Sequence, residues 1–525
     1  MPLMRDSVPS VPSLPSAPSL VPCLAALGCL LTAATSLGQA PASGASDSSA
    51  WAALYVDYCA VCHGADLSGE AQGTPLVGVE LKHGDSVEQI AATIAKGVRG
   101  TGMEAFSGEL SDTQIRSLAI YIAEERAQMP FADFKVAAPL EVPTAVQSSE
   151  LHDFRFETVV ADLDPLPYSI APLPDGRILL TEKMRGLSVI SPQGEQSDLV
   201  AGAPTGYDDA PSGGILRFGN GWILDVAPHP EFEENGWIYL SYGDRCSDCN
   251  EVSRGAGKPP VSALKLVRGR IRDGRWVDEE TLWAVDKKLY APGTDMAAGG
   301  RIAFDGAGHL FLSFGMMPGF GYTGIQDLDR PWGKIHRLHD DGRVPADNPF
   351  VDVPGAFGTI WTLGHRSPHG LEFDPATGQL WETEMGPRGG DEVNLIVRGH
   401  NYGWPLTSKG VHYNGKPVDG EGLGITVPLE DIDQPVVDLT PGVAVSSFVV
   451  YDGEAFPGWR GHLLVGSLKG SDVERYVMED GRLVAREKVV EDLARVRDIE
   501  VAPDGTILLL LEHASGGQIV RMTPQ

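Results

Sequence analysis

Arg301-Ile-Ala-Phe-Asp-Gly-Ala-Gly-His-Leu-Phe-Leu-Ser313 is an apolar run, a turn of Asp and Gly, and a second apolar run. This is the pattern of two short antiparallel strands joined by a hairpin. The phrase recurs in both directions along the chain. Upstream are Ser169-Ile-Ala-Pro-Leu-Pro-Asp-Gly-Arg-Ile-Leu-Leu180 and Ile223-Leu-Asp-Val-Ala-Pro-His-Pro230, the latter leading to Gly236-Trp-Ile-Tyr-Leu-Ser241. Downstream are Gly370-Leu-Glu-Phe-Asp-Pro-Ala-Thr-Gly-Gln-Leu-Trp381, Phe448-Val-Val-Tyr-Asp452 running on to His462-Leu-Leu-Val465, and Ile499-Glu-Val-Ala-Pro-Asp-Gly-Thr-Ile-Leu508. Six irregularly spaced units predict a six-bladed β-propeller over residues 151–525. A sandwich would use fewer strands and has no reason to repeat one phrase.

Ahead of the repeats the period becomes helical. Cys59-Ala-Val-Cys62-His63 supplies two thiols for covalent haem attachment and a proximal imidazole for the iron, where an isolated CxxC would be a redox dithiol or half of a zinc site. Residues 50–63 read as a first helix. Ser86-Val-Glu-Gln89 and Ser111-Asp-Thr-Gln114 are capping boxes opening two more, with Val87, Ile90, Ala91 and Ile94 on one buried face and Ile115, Leu118, Ala119 and Ile122 on the other. Gly97 ends the earlier of these. Between them Gly100-Thr-Gly-Met103-Glu-Ala-Phe106 resembles the ligand loop of class I cytochromes c, which makes Met103 the second axial ligand. The expected organisation is a small all-α cytochrome c domain over 46–128, a Pro/Ala/Val-rich linker over 129–150, and the all-β propeller.

Residues 1–40 read as a signal peptide: Leu20–Leu37 is apolar but short for a spanning helix, and small residues around Gly38-Gln-Ala40 offer a cleavage site. Cys23 and Cys29 would leave with it. A periplasmic or secreted location follows, with membrane contact only if the leader is retained. The 525 residues carry a formal net charge of -30, which disfavours nucleic acid and anionic membranes and favours cationic redox partners. In that oxidising setting Cys246-Ser-Asp-Cys249 reads as a local disulfide, since no second ligand pair for a metal stands nearby.

The densest motifs in the propeller are Leu363-Gly-His-Arg-Ser-Pro-His-Gly370, Glu382-Thr-Glu-Met-Gly-Pro-Arg-Gly-Gly-Asp-Glu-Val-Asn394 and Asn401-Tyr-Gly-Trp-Pro405. With Pro172-Leu-Pro-Asp-Gly-Arg177, Lys334-Ile-His-Arg-Leu338 and Asp341-Gly-Arg-Val-Pro345, they resemble the soluble aldose (glucose/sorbosone) dehydrogenase family across nearly all of 151–525. The resemblance implies a propeller carrying pyrroloquinoline quinone (PQQ) with calcium, acting on a sugar or other alcohol. It would pass electrons to its own haem c and on to a downstream cytochrome or oxidase. PQQ is a tricarboxylate with an ortho-quinone, so its pocket needs fixed cations. By the resemblance these are Arg366, Lys469, Arg495 and Arg497, with Asn220 in place of a family Gln. Strand alternation puts Arg495 and Arg497 on one side, where both can reach one acidic ligand. The same resemblance gives Gly386 and Pro387 as backbone carbonyl ligands of a cofactor calcium, and Asp391, Glu392 and Tyr402 as the place of a structural calcium.

The chain departs from the family at the chemistry. Gapless alignment of Thr294-Asp-Met-Ala-Ala-Gly-Gly-Arg301 places Ala297 at the family's catalytic His and Met316 at its supporting Asp. A slip of one residue would bring Asp295 near that site, but no His lies between His229 and His309. Ser367, His369 and Met385 replace an Asn and two Gln. His369, close in sequence to Arg366, is the candidate substitute base; otherwise it replaces the hydrogen bonds of the Gln it displaces. Two other readings stay open: a calcium-dependent hydrolase of the lactonase type, and a propeller without catalysis that docks the cytochrome.

Overall fold

The structure, a computed structural model, describes residues 47–130, 134–208, 219–293, 295–420, 422–425 and 427–525. The expected signal peptide, with Cys23 and Cys29, lies outside them. None of the described helices is long and apolar enough to cross a membrane.

The strands form six antiparallel sheets, and each of the six repeated phrases begins one of them. Their inner strands are Pro167–Pro172, Ile223–Pro228, Gly299–Phe304, Pro368–Asp374, Val445–Val450 and Arg495–Val501. Each packs on the next around a ring, the last on the first. Inner and middle strands are covered on both faces by neighbouring blades, so they read as continuous apolar runs; Ile507–Glu512 is buried throughout. Outer strands such as Arg482–Val490 are mostly exposed. The sixth blade closes the ring by taking Asp153–Leu163 from ahead of the first blade as the neighbour of Gly517–Pro524.

Every inner strand shifts register near its start, between Pro167/Ser169, Ile223/Val226, Gly299/Ile302, Pro368/Gly370, Val445/Phe448 and Val496/Asp498. Such bulges re-aim side chains at a sheet's end. Here they turn Asp225, Arg301, His369 and Arg497 toward the ring's axis, where Arg301 meets Asp225 and Asp498, each at 2.9 Å.

The N-terminal domain consists of α1 (Asp47–Tyr58), α2 (Ala60–His63), α3 (Val87–Lys96) and α4 (Asp112–Arg126). The single expected first helix is broken at Cys59. Both capping boxes form, Ser86 with Gln89 and Ser111 with Gln114. Gly97 caps α3 at a φ of 64°; a Cβ there would lie 2.7 Å from the Met103 carbonyl oxygen, so glycine lets the Met103 loop fold back over the helix.

The stretch expected as a linker is bound to the sixth blade over 134–138. Arg495 donates to the Phe134 carbonyl (2.9 Å), Ala514 N–H to that of Val136 (2.8 Å), and His513 bonds that of Ala138 (2.6 Å). The helical domain also packs on the propeller: Val411 belongs to its apolar core, and Arg116 on α4 donates twice to the Lys409 carbonyl. Cys246 and Cys249 are joined as a disulfide.

Candidate functional site

In the helical domain His63 Nδ1 lies 2.8 Å from the Thr74 carbonyl. A ring held this way through Nδ1 presents Nε2 to a metal. Cys59 and Cys62 are free thiols one turn away, and Met103 packs half-buried against the same core. These donors fit a covalently attached haem with His and Met axial ligands.

At the head of the propeller axis, Glu512 collects three cations. Lys183 Nζ lies at 2.6 Å, Arg497 Nε at 2.7 Å and Arg495 Nε at 3.0 Å. Burial alone would raise the Glu512 carboxyl; Arg497, Lys183 and Arg495 hold it well below the usual range. One carboxylate against two guanidiniums and the Lys183 ammonium, which burial brings down to about 7, leaves a buried positive surplus; Arg366 and Lys469 are also buried, 8% and 7% exposed. Buried charge of one sign requires counter-charge, and a polycarboxylate such as PQQ fits it. Arg495 and Arg497 both pair with the chain's own Glu512, and Arg497 sits at the bulge and not on a regular alternation. Lys183 and Glu512 were not foreseen, because a Glu ending an all-apolar strand carries no local signal.

Arg366 is fixed through its backbone N–H to Glu384 (2.6 Å) and through Nη1 to the Met385 carbonyl (2.9 Å). Its Nη2 meets the Tyr413 hydroxyl at 3.3 Å, and Nε is buried without a partner among the described residues. Asn220 donates to the Pro260 carbonyl at 3.0 Å, so one of its amide hydrogens is engaged by backbone.

His369 is 4% exposed, and its Nδ1 is buried without a partner among the described residues. Burial first, then Arg497, Arg301 and Lys183, hold its ring well below 6.5. The bulge has turned it toward those cations. A neutral imidazole so placed, with no carboxylate orienting it, suits a hydrogen bond to a ligand better than proton abstraction.

Apolar groups stand at the two positions expected, from the resemblance, for the base and its support. Ala297 is buried, and Met316 donates its backbone N–H to the Arg366 carbonyl at 2.7 Å. Asp295 cannot stand in for the base: its carboxylate accepts from Gly221 N–H (2.6 Å), Trp222 N–H (2.9 Å) and the Ser262 hydroxyl (2.9 Å), stapling two blades together.

The expected structural calcium ligands separate. Both Asp391 oxygens accept backbone N–H groups, from Gly386 and Val445, at 3.0 Å. Tyr402's hydroxyl accepts from Val397 N–H and donates to the Leu395 carbonyl. Asp391 therefore shapes the Gly386–Pro387 loop. Glu392 instead faces a different group, because Glu382 and Glu384 alternate onto one face of their strand and pair across it with Asn394 and Glu392. His365, Glu382 and Glu384 bring ligand atoms within 4.8 Å of one another, all buried. Burial, then Glu384, pushes the Glu382 carboxyl well above its usual range, and its Oε1 has no hydrogen-bond partner among the described residues. Orphaned buried carboxylate oxygen fits a hard cation such as calcium.

The comparisons agree with this geometry. Residues 165–521 match the model of the Glucose / Sorbosone dehydrogenase family, and residues 47–122 match that of Cytochrome C oxidase, cbb3-type, subunit III. The chain is thus a sugar-dehydrogenase propeller preceded by a cytochrome c domain, and it belongs to the glucose/sorbosone dehydrogenase family. It is 33% identical over 365 residues to aldose sugar dehydrogenase YliI of Escherichia coli (strain K12), covering 68% of this chain and 90% of the relative. It is 27% identical to quinoprotein glucose dehydrogenase B of Acinetobacter calcoaceticus, covering 71% and 88%. The crystal structure of the soluble aldose sugar dehydrogenase from Escherichia coli in the apo-form is 30% identical, with a TM-score of 0.58, covering 71% of this chain and all of that one.

Proposed function

We propose that this protein is an exported quinohaemoprotein that oxidises a sugar or other alcohol at PQQ, with calcium, and passes the electrons singly to its own haem c and then to a downstream cytochrome or oxidase. The observation that carries the reading is the buried surplus of positive charge at the axis, where Lys183, Arg495 and Arg497 share the single carboxylate Glu512. The name of the Acinetobacter relative supports it. When bound, PQQ would supply the two-electron oxidant.

The chain's own residues do the rest. Arg495, Arg497 and Lys469 would hold the acid groups, His369 Nδ1 would donate a further hydrogen bond, and Arg366 would polarise the quinone edge from a position fixed by Glu384 and Met385. The Gly386–Pro387 loop, braced by Asp391, would offer carbonyls to the cofactor calcium, and His365, Glu382, Glu384 and Glu392 would take the second ion. Ala297 and Met316 favour the docking-module reading, because they remove the family's base.

One experiment separates these. The haem- and calcium-loaded protein is titrated with PQQ, and haem reduction is followed over a panel of aldoses and alcohols. Tight PQQ binding with substrate-dependent haem reduction is expected, and Arg495→Ala should weaken binding by about 1.5–3 kcal/mol. Absence of PQQ binding would overturn the quinoprotein reading, and binding without any haem reduction would favour the docking module.

A further inference from the structure

We propose that His412 is the catalytic base that replaces the imidazole missing at position 297, working on a sugar hydroxyl held against Arg366 between the rings of Tyr322, Trp404 and Tyr413. The proposal rests on the dehydrogenase reading above.

The geometry gathers at one place. The Arg366 guanidinium lies 5.2 Å from the Trp404 ring centre and 5.9 Å from that of Tyr413. His412, the residue before Tyr413, stacks on Tyr322 at 5.1 Å and meets Trp404 edge-on at 5.7 Å. Its backbone is locked in a tight turn, His412 N–H to the Lys416 carbonyl (3.0 Å) and Gly415 N–H to the His412 carbonyl (2.8 Å). Tyr322 arrives on the same loop as Met316, whose N–H is bonded to Arg366. His412 therefore packs on the loop that also carries Met316, the position expected for the support of the family's base.

Its chemistry suits the role where that of His369 does not. His412 is half-buried, so a ligand can reach it. Nδ1 lies 3.3 Å from the Tyr322 hydroxyl, and no bond to Nε2 is present among the described residues. A partner on one nitrogen orients the ring and leaves the other to accept a proton. Burial and then Arg366 lower its pKa, with Asp419 and Lys416 acting in opposite senses, so the ring is neutral at pH about 7. Tyr322 and Tyr413, 38% and 41% exposed, offer flat apolar faces to the C–H faces of a sugar ring, while the buried Trp404 backs the His412 ring.

In the step inferred, the substrate O–H bond breaks and its proton goes to His412 Nε2. PQQ, when bound, would supply the two-electron acceptor for the hydrogen that leaves carbon with its electron pair as C=O forms. The imidazolium then returns its proton to water.

The test uses the protein loaded with haem, calcium and PQQ. His412→Ala should lower kcat by about 10²- to 10⁴-fold, leave PQQ affinity unchanged, and recover part of the rate with added imidazole. Tyr322→Phe should move the acid limb of the pH–rate profile. Independently of activity, carbethoxylation of His412 by diethyl pyrocarbonate, mapped by peptide mass, should be suppressed by the sugar that is turned over. His412→Asn serves where the Ala variant does not fold. An active parent whose His412 variants keep kcat within about threefold, or whose His412 is not protected by sugar, overturns this proposal alone. A PQQ-loaded parent inactive on every substrate overturns it together with the dehydrogenase reading.

Discussion

Arg388, in the loop following strand Gln379–Glu384, and Glu124, on α4, form a two-point ion pair at 2.6 and 3.3 Å with side chains 2% and 1% exposed. The Arg388 guanidinium also lies 3.7 Å from the Trp51 ring centre on α1. Lys469 stands 3.9 Å from the same Glu124. Arg388 directly follows Gly386 and Pro387, so the loop that would present carbonyls to the cofactor calcium is the loop on which the haem domain sits. The helical domain is thereby fastened to the propeller through buried contacts.

A buried ion pair broken on one side leaves an uncompensated charge, at a cost of about 3–5 kcal/mol. Glu124→Ala should therefore loosen the docked domain, raising hydrogen exchange in α4 and around residues 388–390 while the propeller's inner strands stay protected. Because the pair is buried, salt should not mimic the mutation. Unchanged exchange at α4 would show that Val411 and Arg116 carry the docking without it.

Removal of divalent cations tests the group of His365, Glu382 and Glu384. Calcium should raise the thermal unfolding midpoint of the parent, since it would satisfy the orphaned Glu382 oxygen. Glu382→Gln replaces a carboxyl that burial and Glu384 already hold protonated by a neutral amide of the same shape, so it should leave the metal-free midpoint nearly unchanged and abolish the response to calcium. A parent insensitive to calcium and chelator would assign the group a purely hydrogen-bonded role.

The six hairpins were legible because their signals are local: apolar runs flank Asp-Gly, Ala-Gly or Thr-Gly turns in five of them and Asn235-Gly236 in the second, and each phrase begins one blade. The capping boxes at Ser86 and Ser111 were legible for the same reason, being complete within four residues. The bulges were not, because register is set by the neighbouring strand, and they decide where His369 and Arg497 face. Sequence proximity therefore placed His369 beside Arg366, while the fold sets it among Arg497, Arg301 and Lys183. Glu512 and the Glu382–Glu384 pair were equally hidden, since their partners come from other strands or other blades. The expected linker is fastened by carbonyls of Phe134, Val136 and Ala138, and backbone acceptors leave no trace in composition.

Met103 should be the distal haem ligand. Methionine ligation raises a haem's reduction potential relative to an open or bis-His site, so Met103→Ala should lower the potential and remove the weak sulfur-to-iron charge-transfer absorption. The Gly97 turn that brings the loop over α3 predicts that Gly97→Ala weakens the same band, since a Cβ there meets the Met103 carbonyl oxygen. A band that survives Met103→Ala would assign the ligand to another residue.

His336 and His369 should each contribute a loss of stability in mild acid. Burial first holds His336 down to about 3, with its nitrogens near Thr359 and the Pro331 carbonyl, and His369 lies well below 6.5. In the unfolded chain both take up protons near pH about 6.5. Folded pKa values below unfolded ones mean that their contribution is complete above that pH and is lost as pH falls, since the unfolded state then binds more protons. Each adds a slope of about 1.4 kcal/mol per pH unit below the unfolded value. Glu512, held low by its three cations, adds its own loss only below about pH 4.3. The carboxyls of Glu372, Glu382, Glu392 and Glu500, all held above their usual range by burial, act in the opposite sense over the same window, so the contribution of His369 is read as a difference: in chemical unfolding between pH about 8 and about 5 the slopes of the parent and His369→Gln should differ by about one proton. Equal slopes in the two proteins would mean that His369 is protonated in the folded state and pairs with Glu512, reversing the electrostatics drawn here for the head of the axis.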